Sequence, residues 1–324
     1  MPDSPAANLC IPLSAPVCPL DPFAMAEDYF LCGWRVRSAL PIPDLVHWPA
    51  ADERPVDLLI EEGDVPERLD RSVTPGQYVM VDPAGTILLR IGDTLRFLVQ
   101  DGRRVTIDLC KREEPESWRL FFLGTVLSYL CHQRGVFPLH AATLRIDGRT
   151  IAIAGVQGAG KSTLAYALNQ RGHLLLSDDV TVIRYDGDRP EIVPTFPRLR
   201  LWRTTLDAAG LSTEGLTRVR PHLDKYELRP HGGFDQTPLP LDAILVLGGG
   251  PETTLSRLAP RAAVPAIQTH VTLRQAATAL GHQGRLFTTT ARLASAVPVY
   301  RLLRPMRFED LPEVAALIER EVGQ

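Results

Sequence analysis

Residues 155–162 read Gly-Val-Gln-Gly-Ala-Gly-Lys-Ser, which spaces three glycines before a lysine and a serine in the pattern G-x-x-x-x-G-K-[ST]. An apolar β-type run at 150–154 precedes this segment, and a helix-forming run at 163–170 follows it. The chain must therefore pass from a strand into a helix through glycines whose backbone N–H groups can turn inward around an anion. This arrangement predicts an α/β fold with a phosphate-binding loop.

The same segment supplies two side chains with phosphate chemistry. Lys161 can reach the outer phosphate oxygens, and the Ser162 hydroxyl can ligate Mg²⁺. Only roughly 0.002 chance matches to this pattern are expected in such a chain, so a glycine turn that binds nothing is disfavoured. The predicted nucleotide-binding residues are Gly155, Gln157, Gly158, Ala159, Gly160, Lys161, Ser162 and Thr163.

A pair of carboxylates, Asp178 and Asp179, follows the apolar run 174–177. A hydrophobic strand that ends in an acid is the arrangement that holds Mg²⁺ in many phosphate-loop proteins. Successive strand residues point to opposite sides, so one acid could accept the proton of an attacking hydroxyl while the other orients metal or water. A solvated cap at the end of the strand is the alternative.

Basic residues are grouped downstream of the acids. Arg198, Arg200 and Arg203 alternate along a β-type run, and Lys225 is one of only three lysines. These cations could bind a carboxylate or a transferred phosphoryl group, since arginine pairs with both in a bidentate manner. A solvated charged face is the alternative interpretation.

Composition limits the class of protein. The chain has 324 residues, 45% of them hydrophobic, which is enough for one large or two medium domains. Its formal charge of −3 gives no reason to expect nucleic acid or a membrane as a partner. No secretory signal is visible, and the five cysteines form no C-x-x-C pair, so we expect a cytoplasmic protein with reduced thiols. The oligomeric state stays open, a homo-oligomer included.

The order of patterns along the chain predicts three parts. Residues 1–25 form a Pro-rich tail that we expect to be disordered, with Met25 as an alternative start. Residues 26–115 alternate β-type runs, the first at 29–37, with turn signals, which predicts a small antiparallel β domain. Residues 116–324 form the P-loop domain, beginning with a buried helix at 118–131 capped by Gly135 and including a buried strand at 173–183.

Three motifs together resemble those of the HPr serine kinase family: His140-Ala-Ala, the loop 155–163 and Leu176-Ser-Asp-Asp-Val180. His140 is predicted to lie on a strand antiparallel to the one that enters the loop, and without the resemblance a core histidine would be the simpler interpretation. The segments 33–45 and 303–314 are similar, more narrowly, to HPr-kinase-related proteins found with lasso peptide biosynthesis.

The resemblance implies a phosphoenolpyruvate-carboxykinase-like P-loop core that uses ATP and Mg²⁺. Within it, Asp178 would be the catalytic base, Lys161 would contact phosphate, Ser162 and Asp179 would bind metal, and His140 would lie in the site. The family's further acidic metal ligand is missing from 198–203, so dephosphorylation is not expected.

The implied activity is phosphorylation of a serine on a peptide or small protein, with the C-terminal serine of a lasso precursor peptide as the acceptor. Arg198, Arg200 and Lys225 are the predicted substrate contacts. A kinase of free serine or another small hydroxyl compound, and a non-catalytic nucleotide-gated regulator, are the alternatives.

Overall fold

The structure, a computed structural model, describes residues 26–74, 78–110, 117–220 and 222–323. The predicted tail at 1–25, Met25 with it, and the predicted boundary between residues 115 and 116 lie outside the described residues. No helix within these ranges is long and apolar enough to cross a membrane.

The first part of the described chain forms an eight-stranded sheet in the order β3-β1-β2-β4-β8-β7-β6-β5. Its strands are β1 (Glu27–Leu31), β2 (Trp34–Ser38), β3 (Val46–His47), β4 (Leu58–Glu62), β5 (Val79–Val81), β6 (Ile87–Ile91), β7 (Leu95–Gln100) and β8 (Arg104–Asp108). The pairs are antiparallel except that β4 runs parallel to β2 and β8. The sequence prediction of an antiparallel sheet is wrong at β4, because the long connection from β2 lets β4 enter in the same direction.

The predicted β-type run at 29–37 is a hairpin and not one strand. The chain reverses at Cys32 and Gly33, which have φ angles of 54° and 76°. Two successive residues with positive φ give a two-residue turn that matches the twist of the flanking strands. The single glycine within the apolar run was the only local signal for this reversal.

A helical segment follows the sheet and packs against it. It comprises α1 (Ser117–Phe121), a π-helical turn (Phe122–Val126) and α2 (Leu127–Arg134). Gly135 ends α2 with a φ of 71°, as a C-terminal glycine cap should. The buried Trp118 and Phe122 belong to the same hydrophobic cluster as Phe97 and Ile107 of the sheet.

The remaining strands form three sheets. These strands are β9 (Phe137–Leu139), β10 (Ala141–Ile146), β11 (Arg149–Gly155), β12 (Leu174–Ser177), β13 (Thr181–Asp186), β14 (Arg189–Val193), β15 (Leu199–Trp202), β16 (Thr217–Arg220), β17 (Leu223–Leu228), β18 (Leu239–Pro240), β19 (Ala243–Gly249), β20 (Thr254–Arg257) and β21 (Val299–Arg304). The sheets have the orders β12-β10-β11-β19-β21-β20, β18-β14-β13-β9 and β15-β17-β16.

Helices cover both faces of the six-stranded sheet. The covering helices are α3 (Lys161–Gln170), α5 (Pro260–Thr269), α7 (Gln283–Ala296) and α8 (Leu311–Glu321). Helices α4 (Arg203–Ala208) and α6 (Arg274–Ala279) lie elsewhere, α4 against β15 and β17 and α6 against α2 and α7. Ile151 and Ile153 of β11 share a cluster with α3 and α8, whereas Ala152 and Ala154 share one with α5 and α7. Alternate residues of a strand face opposite sides, so this strand is buried on both. The predicted α/β class is confirmed.

The predicted strand at 173–183 is divided between two sheets. Strand β12 belongs to the six-stranded sheet and β13 to the four-stranded sheet. The break lies at Asp179, whose φ of 70° turns the chain out of the first sheet. The apolar residues on both sides concealed this break from the sequence analysis.

Candidate functional site

The candidate site lies where several strand ends meet at one edge of the six-stranded sheet. Strands β11, β12 and β21 run in one direction, since β12 is antiparallel to β10 and β10 is antiparallel to β11. Their carboxyl ends carry the glycine-rich loop, Asp178 and Arg304, and His140 directly precedes β10. Ligands of open α/β sheets bind outside the carboxyl ends of the strands, so this edge is the expected place for a site.

The loop between β11 and α3 has the conformation that an anion-binding turn needs. Gly158 and Gly160 have φ angles of 82° and 83°, which side-chain-bearing residues rarely adopt. Gly160 is also the residue that begins α3, and a Cβ there would overlap the guanidinium of Arg304. The amino end of a helix and the inward N–H groups both favour negative charge at this point.

Lys161 is bound on all three of its N–H groups. Its Nζ lies 2.9 Å from the Gly155 carbonyl oxygen, 3.1 Å from the Val156 carbonyl oxygen and 2.9 Å from His140 Nε2. Burial lowers the pKa of Lys161 below its ordinary value. The ammonium is thus held directly beneath the loop by acceptors that a phosphate oxygen could replace.

His140 connects the lysine to the acidic pair. Its Nδ1 lies 2.9 Å from the Asp179 carbonyl oxygen, which can only accept, so Nδ1 carries the proton. Nε2 is then free to accept a hydrogen bond from Lys161. Burial and the charge of Lys161 lower the pKa of His140, which favours the neutral ring that this geometry requires.

Asp178 is buried beneath the loop helix. Its Oδ1 accepts a hydrogen bond from Ser162 Oγ at 2.9 Å, and its Oδ2 accepts one from the Arg200 backbone N–H at 3.1 Å. The residue is 2% exposed. Burial and the charge of Asp179 raise the pKa of Asp178 to about 6.

Asp179 faces the cavity in a different environment. Its Oδ2 lies 3.5 Å from Arg200 Nη1. Burial raises the pKa of Asp179, but the charges of Lys225 and Arg200 outweigh burial, and the pKa is lowered overall. Adjacent carboxylates whose pKa values move in opposite directions are suited to different tasks.

A cavity of about 410 Å³ joins these groups. It is lined by predicted site residues, namely His140, Gln157, Gly158, Gly160, Lys161, Ser162, Thr163, Asp179, Arg200 and Lys225. Gly155, Ala159, Asp178 and Arg198 do not line it. Gly155 ends β11, and Ala159 is a loop residue whose side chain is buried. Both residues therefore support the conformation of the loop without facing the cavity.

The predicted substrate cations are separated by the structure. Arg198 is buried, and its Nη1 lies 2.7 Å from Asp44 Oδ1 and 3.1 Å from Glu227 Oε1. It joins the loop after β2 to β17 instead of facing the cavity, and burial lowers its pKa. Arg200 and Lys225 do face the cavity, with Lys225 Nζ 5.9 Å from the centre of the Trp202 ring. Arg203 begins α4 and is half-exposed.

Several cavity residues were missed by the sequence analysis: Trp202, Thr204, Thr205, Arg304, Met306, Arg307, Phe308 and Leu311. Arg304 had a usable signal, since it directly follows the β-type run 297–303 and ligands bind at the carboxyl ends of such strands. Trp202, Met306 and Phe308 belong to no chemical motif, and only the fold brings them to the loop.

Ser162 and Asp178, which contact each other, could supply two oxygen ligands to a metal ion. The described ranges contain no group of three His, Cys, Asp or Glu side chains close enough to chelate one. Mg²⁺ is commonly held by one or two protein oxygens together with phosphate oxygens, so a hydroxyl and one carboxylate fit it. The sequence prediction paired Ser162 with Asp179, whereas the hydroxyl contacts Asp178.

Comparison with known proteins points to nucleotide-binding relatives at low identity. No family model matches the chain. It is 29% identical over 116 residues to a protein of Oceanobacillus iheyensis provisionally named HPr kinase/phosphorylase 2, across 36% of this chain and 37% of the relative. It is 30% identical over 222 residues to the tRNA modification GTPase MnmE of Paracoccus denitrificans, across 62% of this chain and 49% of the relative.

Among solved structures, the HPr(Ser) kinase/phosphatase of Coxiella burnetii matches 57% of this chain and 88% of its own, with a TM-score of 0.30 and 15% identity. The chain therefore spans less than half the length of either curated relative. It is similar to HPr kinase/phosphorylases at low identity, and the assignment to a lasso-peptide branch stays a prediction.

Proposed function

We propose that this protein is an ATP-dependent kinase that phosphorylates a serine hydroxyl, with the C-terminal serine of a lasso precursor peptide as the acceptor. The observation that carries the proposal is the meeting of Lys161, Ser162 and Asp179 around one cavity at the amino end of α3, with Asp178 hydrogen-bonded to Ser162 behind the cavity wall. The similarity to HPr kinase/phosphorylases supports it.

Phosphoryl transfer requires positioning and charge stabilisation more than covalent help from the protein. Lys161 would exchange a loop carbonyl for a phosphate oxygen, while His140 keeps its ammonium in place. Ser162 and Asp178 would hold Mg²⁺, which supplies positive charge beside the phosphates. During the transfer, His140 Nδ1 would keep its proton and would continue to donate it in a hydrogen bond to the Asp179 carbonyl oxygen.

The geometry favours Asp179 as the group that accepts the proton of the serine hydroxyl, the reverse of the division of roles that the family resemblance implies. Asp179 lines the cavity, whereas Asp178 is buried against Ser162. Asp178 has the pKa closer to neutrality, but a base must first be within reach of the proton it takes. Asp179→Asn should abolish transfer and leave ATP affinity within about tenfold of the wild type.

Two cations of the cavity fit a peptide that ends in serine. Arg200 and Lys225 line the cavity on the side of Asp179. Among the described residues, Arg200 Nη2 has no hydrogen-bond partner although it is buried. A terminal carboxylate would satisfy this donor and would place the adjacent serine hydroxyl beside Asp179.

The test is transfer of labelled γ-phosphate from ATP to a serine-ended peptide. Peptides with Ala at the end, or with an amidated terminus, should be phosphorylated much less. Lys161→Met should reduce transfer by orders of magnitude without lowering the ligand-free melting temperature, because methionine fills similar space without a charge. Efficient phosphorylation of free serine, with no reaction on the peptide, would favour the small-molecule kinase.

The similarity to a GTPase over 222 residues favours one second candidate, a nucleotide-gated regulator. Such a protein would bind nucleotide, with or without slow hydrolysis, and would form no phosphorylated acceptor. Parallel titrations with ATP and GTP, combined with the transfer assay, separate the two functions.

A further inference from the structure

Arg304 is a buried arginine without an acidic partner among the residues that the structure describes. It ends β21 and is 2% exposed. Its Nη1 donates to the neighbouring Pro305 carbonyl oxygen at 3.1 Å, and its Nε is buried without a hydrogen bond. Within the described ranges no carboxylate lies within ion-pair distance of its guanidinium, whereas the similarly buried Arg198 has two.

This arrangement is unfavourable for the protein alone. A buried cation is destabilising unless a counter-charge or a full set of hydrogen bonds offsets its lost hydration. Asp310 opposes the effect of burial on the pKa of Arg304, yet burial still lowers that pKa. The Asp310 carboxylate is itself bound by Arg307, with its two oxygens 2.9 and 3.1 Å from the Arg307 nitrogens.

The guanidinium of Arg304 is directed at the phosphate loop. It packs so closely on Gly160 that a Cβ at this glycine would overlap Nη2. Gly160 is the N-terminal cap of the ten-residue helix α3, whose amino end carries partial positive charge, and Lys161 is the first residue of that helix. Three sources of positive charge therefore meet at one wall of the cavity, and an anion bound there would be attracted by all of them.

We infer that Arg304 binds the polyphosphate chain of the nucleotide beside Gly160 of the loop. This inference rests on the proposed function, since it requires a nucleotide in the loop. A nucleoside di- or triphosphate would supply the counter-charge that the protein lacks, and the burial of Arg304 would be compensated only in the complex. Arg304 is then a ligand-binding residue contributed by the carboxyl end of the last strand.

The experiment compares Arg304→Met and Arg304→Lys in the full chain with Arg301→Met, an exposed arginine on the same strand. Calorimetric titration with ATP and Mg²⁺, and with inorganic tripolyphosphate, measures affinity. Loss of a charge-assisted contact should weaken both ligands about tenfold to a hundredfold in Arg304→Met and less in Arg304→Lys. Arg301→Met should bind as the wild type does.

A second measurement distinguishes ligand binding from a structural role. Methionine removes an uncompensated buried charge, so the ligand-free melting temperature of Arg304→Met should equal or exceed that of the wild type, while the increase caused by ATP should be lost. A lowered ligand-free melting temperature with unchanged affinity would overturn the inference. If Arg304→Met does not fold, wild-type affinity in Arg304→Lys together with a lowered melting temperature would do the same.

Lys161→Met separates this inference from the proposed function. If Lys161→Met loses nucleotide and Arg304→Met retains it fully, the phosphate loop stands and the role of Arg304 is rejected. If the wild type binds neither ATP nor tripolyphosphate, both proposals fail.

Discussion

At the scale of the residue, Asp178 and Asp179 are neighbours in sequence with opposite electrostatic surroundings. Asp178 is buried and accepts hydrogen bonds from the Ser162 hydroxyl and the Arg200 backbone N–H, whereas Asp179 faces the Arg200 and Lys225 side chains. We expect their contributions to the free energy of unfolding to have opposite signs.

The pKa of Asp178 rises from 3.8 to about 6, so the native state holds this proton more tightly than the unfolded state does. The resulting stabilisation is complete below pH 3.8 and is lost as the pH rises through about 6. Asp178→Asn should therefore be more stable than the wild type at pH 8 without divalent ions, and this difference should shrink towards pH 4. Urea denaturation at several pH values measures it.

Asp179→Asn is the matched control. The pKa of Asp179 is lowered, so its ionised form contributes stability that is present above the unfolded pKa and lost on acidification. This variant should be less stable than the wild type at pH 8. Equal shifts in the two variants would contradict the distinction between the two environments.

Arg198 provides a second prediction for a single residue. Its 9% exposed side chain pairs with Asp44 and Glu227. Arg119 also pairs with Asp44 and Arg200 with Glu227, so Arg198→Met would leave each of these largely buried carboxylates with one cation instead of two. We expect a loss of about 3 kcal/mol in the free energy of unfolding. Arg203→Met, at a half-exposed arginine paired with Asp207, should lose about 0.5 kcal/mol at most. Wild-type stability in Arg198→Met with impaired use of the peptide would restore the predicted substrate role.

The site residues that could be predicted from the sequence are those that belong to short local motifs. The residues of the loop 155–163 have a fixed spacing because a single turn of the backbone positions all of them around one phosphate group. The acids at 178 and 179 directly follow an apolar strand, which is also a local pattern. Arg198 and Arg304 could not be judged in this way, since both are buried arginines and their roles depend on whether a distant carboxylate lies beside them. Asp44 meets Arg198 across 154 residues of chain, and no periodicity reports such a contact.

At the scale of the element, α8 is fastened to the end of α3 by one carboxylate. Both oxygens of Glu319 accept hydrogen bonds from Arg171 at 2.6 Å, and Oε1 lies 2.8 Å from His173 Nε2. The contact with Arg171, opposed by burial and assisted by His173, lowers the pKa of Glu319 to about 2. Both helices cover the face of the six-stranded sheet that carries Ile151 and Ile153 of β11.

Glu319→Gln should weaken this attachment by about 1 kcal/mol at pH 7. A lowered carboxylate pKa gives stability above pH 4.5 that is lost as the pH falls towards 2, so the variant and the wild type should converge over this range. Thermal unfolding at pH 7 and pH 3 tests this. Glu321→Gln, on the same helix with an exposed pair to Arg320, should match the wild type at both pH values.

The strands show where element prediction fails. The range 150–154 was found because a strand buried on both faces is continuously apolar. The same property made 173–183 look continuous, although β12 and β13 join different sheets. When both sheets are buried, the passage of the chain from one sheet to the other does not change the hydropathy pattern. Asp179 was predicted as a site residue because of its carboxylate, and its turn conformation was not predicted.

At the scale of the whole molecule, the eight-stranded sheet and the P-loop region share one core. The cluster that holds Phe97 and Ile107 also contains Phe122 of the helical segment and Val182 and Phe196 beyond the loop. The division into two domains, 26–115 and 116–324, stays a prediction from the sequence. The shared cluster predicts how the chain behaves when the first of these parts is removed.

Removal of residues 26–110 should prevent cooperative folding of the remainder. The shortened chain would expose Trp118, Phe122 and their neighbours, whose burial depends on the sheet. We expect the full chain to unfold in one calorimetric transition and the shortened chain to give none. A shortened chain that melts cooperatively and binds ATP would show that the P-loop region is independent.

The shared cluster also sets a sequence of events during synthesis. The sheet strands, ending at Asp108, leave the ribosome first, but Val193, Phe196 and Ala276 join the same cluster only later. At ordinary rates of translation the last of these emerges on the order of 10 to 30 s after β8. During this interval the nascent sheet presents an uncovered apolar face, so we expect the growing chain to depend on chaperones more than an autonomous β domain would.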